Sequence, residues 1–107
     1  MGPKEFAAAC REQHDALLSS FTDLSGDTAV AAHLAAAGLT LSQRQEVFAA
    51  IDAALTDTFY TLLLALDGSA SLGGSQCSFV LTDESGNSIA NGDGRLEAAA
   101  WNAFHAT

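Results

Sequence analysis

The sequence predicts a single α+β domain: a helical hairpin, a long central helix, a small antiparallel β-hairpin and a C-terminal helix. Three observations lead there. Apolar residues recur at three- and four-residue steps through the first two thirds of the chain, the texture turns to period two after residue 76, and turn residues crowd between residues 83 and 94. A length of 107 residues supports one hydrophobic core, so residues 1–107 read as one domain.

Pro3 suits a first helical turn, and Phe6, Cys10, Gln13, Leu17, Phe21 and Leu24 then mark a helix of roughly five turns. Ser25-Gly26-Asp27-Thr28 breaks it. Asp27 or Thr28 caps a shorter helix carrying Val30, Leu34 and Ala37 on one face, which Gly38 ends. Thr40/Gln43 and Ser42/Gln45 both have capping-box spacing, so a third helix begins here. Its stripe of Val47, Phe48, Ile51, Leu55, Phe59, Leu62, Leu63 and Leu66 runs unbroken to Leu66. Gly68 to Gly74 form a loop. Cys77, Phe79 and Leu81 then alternate with Ser78, Val80 and Thr82, which predicts a strand; Asp83 to Asn87 turn it and Ser88-Ile89-Ala90 return. Arg95 to His105 form the last helix, with Leu96, Ala100, Ala103 and Phe104 on one face and Trp101 beside them.

Composition narrows the function classes. With 49% hydrophobic and 16% charged residues the chain folds rather than staying disordered, and its large side chains must supply most of the core because alanine buries little area. Thirteen acids against four bases give a net charge of −9, which argues against nucleic acid and anionic membranes and for a basic partner. No base lies between Arg44 and Arg95 to offset the seven acids from Glu46 to Asp93. MGPKEFAAAC lacks the apolar segment of a secretory signal, and by this reading no stretch approaches the ~18 apolar residues of a membrane span, so a cytoplasmic location is expected. Cys10 and Cys77 do not make a disulfide framework or zinc site and read as small buried hydrophobes. Alanines 31, 32, 35 and 36 permit close helix packing, within the core or across the two-fold axis of a homodimer.

Two acidic loops invite metal readings. Asp67-Gly68-Ser69-Ala70-Ser71 spells D-x-S-x-S, which resembles the first half of the metal site of von Willebrand A-type adhesion domains, with hard oxygen ligands suited to magnesium or calcium. In that family the motif follows a strand of a parallel sheet, whereas here it follows a helix. Only 36 residues remain after Ser71, too few for the missing crossovers. A phosphate loop would need a lysine that this stretch lacks. Counted from Asp83, the sixth residue is Ser88 and the twelfth Gly94, where a calcium loop of the EF-hand type requires glycine and glutamate. His14, His33 and His105 fall on three separate helices with no catalytic or metal-binding spacing, so no enzyme and no cofactor are expected.

In size, acidity and lack of a catalytic motif, the chain resembles the small cytoplasmic immunity proteins that bacteria make against their own toxins. The resemblance implies a non-enzymatic inhibitor that binds and occludes a basic toxin or enzyme through complementary charge. The residues expected to meet that partner are Asp67, Asp83, Glu84, Asp93 and Glu97, with Trp101 as an aromatic anchor. The alternative is a small-ligand or divalent-metal site at Asp67–Ser71.

Overall fold

The computed structural model describes residues 1–106 and contains, in chain order, α1 (Pro3–Thr22), α2 (Ala29–Ala37), α3 (Leu41–Leu66), β1 (Leu81–Thr82), β2 (Ser88–Ala90) and α4 (Arg95–Phe104). The mixed, mostly helical α+β arrangement is the one the sequence predicts. Pro3 opens α1 as expected, and Leu24 falls just beyond the helix. Thr28 caps α2, its hydroxyl accepting the Ala31 amide at 3.1 Å, and Gly38 ends α2 at φ 63°, where a side chain would be strained.

Of the two candidate boxes for α3, Thr40/Gln43 forms: the Thr40 hydroxyl accepts the Gln43 amide at 3.2 Å and the Gln43 side chain accepts the Thr40 amide at 3.0 Å. The other end closes in a Schellman arrangement. Gly68, at φ 83°, donates to the Ala65 carbonyl at 3.1 Å, and Ser69 donates to Leu64 at 3.0 Å. The apolar run Leu62 to Leu66 is therefore the end of a helix.

The hairpin is shorter than its alternating pattern suggests. Leu81 pairs with Ala90 and Thr82 with Ser88 in an antiparallel register shifted between the two pairs, while Cys77 to Val80 lie outside any strand. The cause is the short return strand. Asn91–Gly94 turn the chain into α4 directly after Ala90, so residues 77–80 have no ladder to join. Cys77 is exposed for that reason, against the expectation that it is buried; Cys10 is half-buried, and burial pushes its thiol pKa up.

Ala7 of α1, Leu63 of α3, Ile89 and Ala90 of β2 and Leu96, Ala100 and Phe104 of α4 form the core cluster. Leu96, Ala100 and Phe104 follow the i, i+4, i+8 spacing that lays one stripe of α4 inward. This core draws on the start of α1, the end of α3, β2 and α4, in a molecule measuring 47 × 29 × 27 Å. α3 also departs from expectation in being long and apolar enough to cross a membrane by length and composition, with a mean hydropathy of 1.5 over its most apolar 18 residues.

Candidate functional site

The core stripe of α4 determines what the helix shows outside. Glu97 and Trp101 stand one turn apart and exposed, Trp101 at 53%. Tyr60 reaches the same place from α3. Its ring meets His105 edge-on with centroids 4.5 Å apart, His105 lies 5.0 Å from Trp101, and Tyr60 and Trp101 are 6.3 Å apart. Tyr60, Gly94, Glu97, Ala98, Trp101 and Asn102 line a shallow hollow of about 390 Å³. A carboxylate beside electron-rich ring faces suits a cation, which gains from the charge and from the ring quadrupoles together.

The remaining acids expected at a partner surface fare differently. Asp67, expected at the surface, is instead buried, only 4% exposed, and serves as a structural cap: Oδ2 accepts the Glu97 amide at 2.9 Å. Gly94, the N-cap residue of α4, has no side chain to do this, and a carboxylate at a helix N-terminus also meets the positive end of the helix dipole. Asp83 organises its own turn. Its Oδ1 accepts the amides of Ser85 and Asn87 at 3.0 and 2.9 Å, while Oδ2 accepts the Asn87 side chain and the Met1 ammonium. The ammonium and then Asn87 hold the Asp83 pKa well below the usual carboxylate range.

Asp93 is likewise engaged. It accepts the Arg95 amide at 3.0 Å and pairs with the Arg95 guanidinium at 2.7 Å, which together lower its pKa. Glu84 and Glu97 are exposed and form no ion pair among the described residues. Of the six predicted residues, the structure thus brings Glu97 and Trp101 together, leaves Glu84 on the hairpin turn, and commits Asp67, Asp83 and Asp93 to the backbone.

The D-x-S-x-S loop does not gather its oxygens. Asp67 caps α4, the Ser69 hydroxyl donates to the Leu64 carbonyl at 3.1 Å, and the Ser71 hydroxyl donates to Gln76 at 3.0 Å. No cluster of three or more His, Cys, Asp or Glu suited to a metal ion occurs among the described residues.

Sequence reasoning missed two features. One is Tyr60, whose helical spacing says only that it belongs to α3. The other is His14, 1% exposed, with Nδ1 2.8 Å from Asp15 Oδ1 and Nε2 2.9 Å from Asp52 Oδ1 and 3.1 Å from the Thr56 hydroxyl. Phe59 and Phe104 meet its ring edge-on. The bond from His14, with Arg11 nearby, lowers the Asp15 pKa. Because the imidazole is enclosed and both nitrogens are occupied, it joins α1 to α3 as a structural polar contact. No family model matches the chain, and neither a curated protein nor a solved structure matches it.

Proposed function

We propose that this protein is a non-enzymatic binding module whose α4 face receives a cationic segment of a protein partner. The observation that carries the reading is the pairing of an uncompensated carboxylate, Glu97, with exposed Trp101 and half-buried Tyr60 around one open hollow. A guanidinium or ammonium seated there meets a negative charge and aromatic faces at once, and the net charge of −9 draws basic partners toward the molecule. Inhibition of a basic toxin or enzyme is the form of this activity that size and charge support. Glu84, on the hairpin turn, extends the acidic surface.

Affinity capture from the native host tests it, with the wild-type chain, Glu97→Gln and Trp101→Ala immobilised side by side. The expected result is a basic protein retained by the wild type, released as salt rises and retained poorly by both variants. Equal retention by all three, or retention indifferent to salt, would overturn the assignment of this face.

A further inference from the structure

We propose that the half of the molecule built from the end of α1, α2 and the first half of α3 is the interface of a two-fold homodimer. This goes beyond the cation-binding reading and rests on different residues. Between residues 17 and 55, Ala31 alone is buried, although this span carries much of the chain's large apolar content. Phe21, Leu34, Val47, Phe48 and Ile51 are only half-buried, and Leu41 is 70% exposed. In the most apolar 18 residues of α3 only 6% are buried. α2, AVAAHLAAA, is apolar nearly all round and packs on α1, yet a helix of that composition belongs inside a core.

The dimensions point the same way. The radius of gyration is 16.3 Å, against about 13 Å for a compact domain of this length. The accessible surface is 6482 Å², against roughly 5,600 Å² for a folded monomer of this mass. That excess, about 900 Å², is close to what one partner contributes to a standard interface.

Charge selects a second copy as the occupant. α2 has no Asp, Glu, Lys or Arg, so two strongly acidic molecules can approach along this helix without opposing carboxylates, while a basic partner would find nothing on it to pair with; the flanking segments carry Asp23, Glu46 and Asp52 together with Arg44, so the close approach is assigned to α2. Ala32 and Ala36, exposed and one turn apart, let two helices come close. A two-fold axis would use the same patch on both copies and close the assembly at two. An anionic membrane is disfavoured by the net charge and by Asp52 and Asp57 on α3.

Sedimentation equilibrium of the full chain, from low to high micromolar concentration, is expected to show a species of twice the 11.0 kDa chain mass. Ala32→Glu and Ala36→Glu, at positions already exposed in the monomer, are expected to weaken association by at least about tenfold. Hydrogen exchange of the wild type above and below its dissociation constant provides a reading that needs no variant, with concentration-dependent protection expected in residues 29–55. A wild type that stays at the monomer mass throughout would overturn the proposal. So would a dimer indifferent to both substitutions, protection confined to other segments, or a monomer that instead co-sediments with phosphatidylcholine vesicles.

Discussion

At Asp83 and Asp93, carboxylates that add to the acidic charge are spent on holding turns. Asp83 accepts two backbone amides of its own turn, and Asp93 accepts the Arg95 amide and guanidinium. Both pKa values lie below the ordinary range, as does that of Asp15 beside His14. A carboxylate whose folded pKa is depressed contributes stability above its unfolded value of about 3.9 and loses it as pH falls through the lower folded value. Thermal denaturation is therefore expected to show melting temperature falling below about pH 4, with a shallower fall in Asp83→Asn, whose side chain keeps an acceptor but no charge. An unchanged acid profile in that variant would contradict the role given to Asp83.

α4 owes its start to a residue outside itself. Gly94 has no side chain to cap the helix; Asp93 accepts the Arg95 amide, and Asp67, 30 positions before Glu97 at the end of α3, accepts the Glu97 amide. Asp67→Ala removes that bond and is expected to cost about 1–2 kcal/mol in urea denaturation. It is also expected to loosen the helix that presents Glu97 and Trp101. Asp67→Asn retains an acceptor and should lose less. Stability of Asp67→Ala equal to wild type would show that the contact is idle. The same element marks where sequence reasoning stops. The caps of α2 and α3 lie within a few residues of the helices they serve, so Thr28, Thr40 and Gly38 are legible locally. The Asp67 cap is not, because it exists only once α4 has folded back against the end of α3. β1 begins late for a comparable reason: alternation at residues 77–80 says nothing about whether a partner strand reaches them.

Across the whole molecule, the order of helices and hairpin follows from periodicity and turn residues, but the site depends on tertiary placement. Glu97 and Trp101 share a helix face and could be picked out from spacing and charge, and His105 follows them one turn on at the end of α4; Tyr60 joins them only because the end of α3 lies against α4. The resulting face is built on α4 and the end of α3, the segments that also supply the core, and uses no residue of α2 or the start of α3. Because Trp101 is the one tryptophan in the chain, its fluorescence reports this face alone. Titration with an arginine- and lysine-rich peptide, against a neutral peptide of equal length, therefore tests directly whether this face binds cations. A saturable change in Trp101 emission is expected with the basic peptide, weakened by added salt and by Glu97→Gln. An emission unchanged by the basic peptide, or a response identical in Glu97→Gln, would contradict it.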